Sequence, residues 1–182
     1  MVSLTALWLP ILVAAVIVFI AGAVINIVLP YHRTDVARLP DEDAVRDAAQ
    51  GLARNQYRFP YATPAEMKDP AYQEKLNAGP VGILIVGPPG NTMPKQLALH
   101  FVYVLVISLI AGYMGTAAAL PEGEAYLEIF QVVGTAAFLG YSGALFLNSN
   151  WYHMPWSVTL KHGFDGLIYA LLTAGVFGWL WP

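Results

Sequence analysis

Apolar residues fall along this chain in four long runs separated by polar segments of very unequal length. The runs cover residues 4–29, 97–120, 126–147 and 163–181, each close to or above the roughly 20 residues a helix needs to cross about 30 Å of hydrocarbon. In hydrocarbon the backbone must satisfy its own hydrogen bonds, and long unbroken runs do so as helices. The pattern predicts an all-α, polytopic membrane protein: a four-helix bundle in one membrane domain, 1–182, spanning at 4–29, 97–120, 126–147 and 157–181. Pro10 lies near the start of the first span, where the backbone groups it frees are close to water.

The polar segment 31–95 carries helix punctuation. Pro40, Asp41, Glu42 and Asp43 open a stretch through Arg54 with Val45, Ala48 and Leu52 at helical spacing and acids in the first turn, which suits the helix dipole. Thr63, Pro64, Ala65 and Glu66 have the form of a capping box with Pro at the first helical position. Asp69 and Pro70 repeat the start signal, and Asn77-Ala78-Gly79-Pro80 is a stop. Two or three short helices joined by aromatic turns such as Tyr57-Arg58-Phe59-Pro60-Tyr61 are expected, forming a cytoplasmic cap. Two uses of such a cap stay open: a cover for the bundle, or a docking surface for a partner or for lipid headgroups.

Composition agrees with a membrane protein: 57% of residues are hydrophobic and 12% charged, against roughly 25% charged in soluble domains. Cysteine is absent from the sequence, which excludes a disulfide framework, a thiol nucleophile and a zinc–thiolate site. Charge placement sets the orientation. Arg33, Arg38, Arg46, Arg54, Arg58, Lys68, Lys75 and Lys95 follow the first span, Lys161 precedes the fourth, and the link 121–125 carries only Glu122 and Glu124. The positive-inside rule then puts 31–95 in the cytoplasm and both termini outside. Ala21-Gly22-Ala23 resembles a signal cleavage site. No base precedes the first run, however, and the run is far longer than a signal core, so an uncleaved helix is expected. Eight acids between Asp35 and Glu74 balance the bases of the loop, which argues against a polybasic lipid site and against nucleic acid as a partner.

The stretch GILIVGPPGNTMPKQ invites a nucleotide-binding reading. Counted from Gly87 against G-x-x-x-x-G-K-[ST], the second Gly is Thr92 and the Lys is Met93. The motif fails at both chemical positions, and a nucleotide is not expected. Residues 81–86 instead suit an apolar segment at the membrane interface, turned by Gly87-Pro88-Pro89-Gly90. Asn91 or Thr92 then caps the helix that carries Pro94 and Lys95.

Candidate chemistry gathers at the cytoplasmic ends of the spans. His32, His100, His153 and His162 all fall there, which raises metal or haem ligation or a proton relay. No H-x-x-x-H spacing supports ligation, and interfaces favour amphipathic rings. Neither metal nor other cofactor is therefore assigned. Lys161 and Asp165 share a helix face, and an ionisable residue inside a span is a functional candidate, although pairing and snorkelling at headgroup depth would also satisfy it. The polar cluster to examine is His100, His153, Lys161, His162 and Asp165. Gly134, Gly140 and Gly143 in the third span and Gly175 and Gly178 in the fourth mark close helix packing. No nucleophile–base set, paired carboxylate or H-E-x-x-H motif emerges, so catalysis has no sequence warrant.

The strings ALWLPILVAAVIVFIAG, VLPYHRTDVARLPDEDAVR, MKDPAYQEKLNAGPVG and NSNWYHMPWSVTLKHGFDGLIYALLTAGVFGWLWP resemble a family of bacterial four-helix inner-membrane proteins. That resemblance implies the bacterial inner membrane and the same topology, and lends no activity or catalytic residue. The expected role is a non-enzymatic accessory or scaffold component, with the bilayer, a second copy or a larger membrane complex as partner. The alternative is binding or permeation of a small solute or ion at the cytoplasmic-side polar cluster.

Overall fold

The computed structural model describes residues 2–182 and divides the chain into two compact units: residues up to Asp35 with Met93–Pro182, and Val36–Thr92. The first contains four helical segments long and apolar enough to cross a membrane, Leu4–Val28, Met93–Ala117, Tyr126–Tyr152 and Trp156–Leu180. The first segment is α1 (Trp8–Ala23) between a 3-10 turn, Leu4–Leu7, and a π-helical segment, Val24–Val28. Its N-terminus is capped by the Ser3 hydroxyl, which accepts the Ala6 N–H. A further 3-10 turn, Pro30–Thr34, follows.

The second unit contains α2 (Glu42–Ala48), β1 (Asn55–Phe59), α3 (Pro70–Ala78) and β2 (Gly82–Val86). Helix α4 (Met93–Ala117) resumes the first unit, followed by α5 (Tyr126–Ser142), α6 (Phe146–Tyr152) and α7 (Trp156–Leu180). Helix α1 packs against α4 and α7, and α5 packs against α4 and α7, closing a four-member ring. Leu7, Val18, Val104, Ile129, Val133 and Phe177 are fully buried at its centre. Outside the ring, apolar side chains such as Leu12, Ile20, Val102, Ile110, Leu139 and Leu171 remain exposed on the long helices. A surface that apolar around a packed core is the surface a bilayer solvates.

Close packing uses glycine at sites where a Cβ has no room. A Cβ on Gly140 would lie 2.7 Å from Ile107, one on Gly178 2.7 Å from the Tyr126 ring, and one on Gly134 3.0 Å from Ala174. Gly175 faces the Tyr126 hydroxyl at an ordinary 3.6 Å. Gly143 differs from the packing role expected of it: its Cβ position meets the Leu139 carbonyl of its own helix, and it is the C-cap of α5.

The helix that carries the second apolar run extends over Met93–Ala117, and the helical segment of the third over Tyr126–Tyr152 through α6. Two sequence expectations need correction. The stretch 41–54 stays helical only to Ala48, because Gln50 enters a turn and Gly51 takes φ +85°, a left-handed conformation that ends a helix. The all-α expectation fails in segment 31–95. Residues read as an aromatic turn and an interfacial segment instead pair as antiparallel β1 and β2, with Asn55 opposite Val86 and Phe59 opposite Gly82. The physical reason is cross-strand complementarity: apolar 82–86, with three β-branched residues, suits a strand, Tyr57 pairs with Leu84, and bare Gly82 leaves room for the Phe59 ring lying over it.

The capping signals in this segment hold. Asp41 accepts the Ala44 N–H, and Asp69 accepts the Ala71 N–H at the start of α3. The Glu66 carboxylate accepts both the N–H and the hydroxyl of Thr63, each at 2.8 Å, although only a 3-10 turn, Glu66–Lys68, follows.

Candidate functional site

The π-helical segment at the end of the first span inserts an extra residue per turn, as the Leu29 N–H to Val24 carbonyl bond records. Such segments interrupt the regular ladder and often accompany functional sites. Asn26 within it donates to the Gly22 carbonyl, and the chain then turns through Pro30–Thr34 to deliver Tyr31, His32 and Asp35 against the first turns of α7. There they meet Lys161, His162 and Asp165.

The two halves are tightly joined. Lys161 Nζ donates to the Tyr31 carbonyl at 2.6 Å, the Thr34 hydroxyl at 2.8 Å and Asp35 Oδ1 at 2.6 Å. The Tyr31 hydroxyl donates to Asp165 Oδ1. His32 stands between the acids, with Nδ1 2.6 Å from Asp35 Oδ2 and Nε2 2.9 Å from Asp165 Oδ2. His162 reaches the same two oxygens more loosely, at 3.8 Å and 3.6 Å, and its ring stacks on that of His32 with centroids 5.0 Å apart. The Asp165 side chain is 4% exposed and that of His162 42%. The acid is therefore locked in place, while the second imidazole has room to turn.

Electrostatics distinguishes these groups. Burial alone would raise the Asp35 carboxyl, but hydrogen bonds and charge from Lys161 and His32 outweigh it and hold the acid below the usual carboxylate range. Burial, followed by the hydrogen bond to Asp165, pushes the Tyr31 phenol above its ordinary value and keeps it a donor. The cluster contains two carboxylates, Asp35 and Asp165, and one ammonium, Lys161, which pairs with Asp35, so with ionised acids and neutral imidazoles it holds one excess negative charge. His32 Nε2 is buried and, despite its nearness to Asp165, has no aligned hydrogen-bond partner.

A cavity of about 300 Å3 adjoins the cluster, lined by Asn26, His100, Tyr103, Tyr141, Leu145, His162, Asp165, Gly166 and Tyr169. Of the five residues expected to cluster, Lys161, His162 and Asp165 do so directly. His100 lines the same cavity as His162 and Asp165. His153 does not join them: it is exposed at φ +58° as the C-cap of α6, where it turns the chain towards α7.

Sequence reasoning missed Tyr31 and Asp35 and left His32 outside the cluster. A signal was present. His32-Arg33-Thr34-Asp35 and His162-Gly163-Phe164-Asp165 are both H-x-x-D, and the fold crosses them so that each histidine approaches both acids. Compared with protein-family models, curated proteins and solved structures, the chain matches none of them.

Proposed function

We propose that this protein is an integral membrane protein that binds a small ion or polar solute where the first and last spans meet at one end of its bundle. One observation carries the reading: a charged, largely buried cluster, built from residues about 130 positions apart, opens onto a cavity lined by further imidazole and phenol groups. Burying carboxylates and an ammonium costs several kcal/mol per ion unless each is paired, and packing alone does not call for them. An ionisable site inside a span is a functional site by default. The bacterial inner membrane, with 31–95 cytoplasmic and both termini outside, is the setting that the charge distribution and the sequence resemblance favour.

The accessory or scaffold role keeps one supporting feature, an apolar groove of about 310 Å3 along α5 and α7 that includes Phe130, Gly134, Phe138 and Leu171. It has less support from the glycines, since several of their faces receive side chains of the same chain: Phe177 over Gly112, Trp181 over Gly115 and Tyr126 over Gly178.

The test is thermal unfolding of the purified full chain in mild detergent against a panel of inorganic cations, small carboxylates and amines. A true ligand at about 100 times its Kd stabilises by roughly 2.7 kcal/mol, and the gain should vanish in Asp165→Asn. A panel that leaves the unfolding temperature unchanged, or a shift that Asp165→Asn retains, refutes the reading.

A further inference from the structure

Deepening that reading, and resting on it, we infer that the site takes a divalent transition-metal ion, with His32, His162 and Asp165 as ligands and Asp35 orienting His32. The ionised Asp35 carboxylate can only accept, so across the 2.6 Å contact the Nδ1–H of His32 donates to Asp35 Oδ2. A metal-binding histidine characteristically donates its other ring N–H to a carboxylate, which fixes the ring and raises its basicity. Asp35 is itself held by Lys161, so its orienting role is supported from behind.

With Nδ1–H given to Asp35, the neutral ring of His32 has its lone pair on Nε2, a buried nitrogen with no hydrogen-bond partner 2.9 Å from the Asp165 carboxylate oxygen. Two electron-rich atoms at that distance repel unless a positive charge lies between them. Bonds of about 2.0–2.2 Å place neighbouring ligand atoms roughly 2.9 Å apart in an octahedron and about 3.4 Å apart in a tetrahedron. Asp165 Oδ2 stands 2.9 Å from His32 Nε2 and 3.6 Å from His162 Nδ1. The Tyr31 hydroxyl occupies the other oxygen of Asp165, leaving Oδ2 for the ion.

Stacked rings do not aim their in-plane lone pairs at one point, so ligation requires His162 to rotate, which its exposure permits. Two imidazoles and one carboxylate select zinc, iron or manganese over magnesium. A dipositive ion turns the excess of one negative charge into one positive charge. The remaining coordination positions, next to the cavity, therefore suit water or an anionic oxygen of the solute.

Zn2+ binding to the full chain in detergent, measured by competition with a chromophoric chelator, tests the assignment. Wild type should take one ion per chain, His32→Gln and His162→Gln should lose it, Asp35→Asn should weaken it by about 10- to 100-fold, and His153→Gln should leave it unchanged. Because His162 is part-exposed, its variant remains informative if His32→Gln fails to fold. Zn2+ affinity that survives in His162→Gln, or no binding by wild type, overturns the metal. If wild type binds no Zn2+ but the solute panel still gives a shift lost in Asp165→Asn under excess chelator, the ion is wrong and the binding site stands. If both fail, the proposed function fails with it.

Discussion

The Tyr31 hydroxyl is one of the few donors available to the buried Asp165 carboxylate. Removing it strands part of a buried charge, and hydrogen bonds to charged groups contribute about 1.5–3 kcal/mol. Tyr31→Phe should therefore destabilise the full chain by about that amount, read as a lowered thermal unfolding midpoint. An unchanged midpoint would mean that water replaces the hydroxyl. Glycine positions give a second contrast. A Cβ on Gly112 would lie 2.9 Å from Cε1 of the fully buried Phe177, whereas one on Gly163 meets nothing within 4 Å. Gly112→Ala should cost about 1–3 kcal/mol by overpacking, whereas Gly163→Ala, inside α7, should stabilise by about 0.5–1 kcal/mol through helix propensity, both read from the same unfolding curves. Equal effects would show that Phe177 moves aside freely. Single residues of this kind were partly legible from the sequence. Gly134, Gly140, Gly175 and Gly178 could be placed on contact faces by spacing, but Gly112 depends on where an aromatic ring from another helix lands.

At the scale of elements, the long helices are local facts and the hairpin is not. An apolar run long enough to span declares itself within its own window. Residues 83–86, by contrast, became a strand because 55–59 lay alongside to complete the ladder, a pairing between segments some 25 residues apart that no local pattern contains. Hydrogen exchange distinguishes the two descriptions: amides of Asn55–Phe59 and Gly82–Val86 that face the partner strand should exchange much more slowly than those of 87–92. Uniformly fast exchange would contradict the pairing. The Thr63–Glu66 cap offers a pH test. The Thr63 N–H and then its hydroxyl hold the Glu66 carboxyl below its ordinary value, near 4.3 unperturbed. With the folded-state value depressed, the cap's contribution is complete above that unperturbed value and is lost as pH falls through the folded one. Protection of the Thr63 amide should fall on acidification, and Glu66→Gln should lose that pH dependence.

For the whole molecule, span count and charge asymmetry predict sidedness. The sequence contains no cysteine, so single cysteines report cleanly. Tyr61→Cys, at an exposed site between the first two spans, and Glu122→Cys, between the second and third, should label from opposite faces of the membrane, with 61 on the cytoplasmic side. Labelling from one face would remove a span. The sequence by itself determined the four helices long and apolar enough to cross a membrane and the caps of the short helices, because hydropathy and capping act over a few turns of chain. Only the tertiary structure decided which polar residues form a site. His32 and Asp35 meet His162 and Asp165 because a π-helical exit from the first span and the start of the last helix converge. Contact between residues so distant in sequence follows from packing of the ring as a whole. The same packing sent His153 to an exposed turn and joined two H-x-x-D segments, unremarkable apart, into one cluster with Lys161.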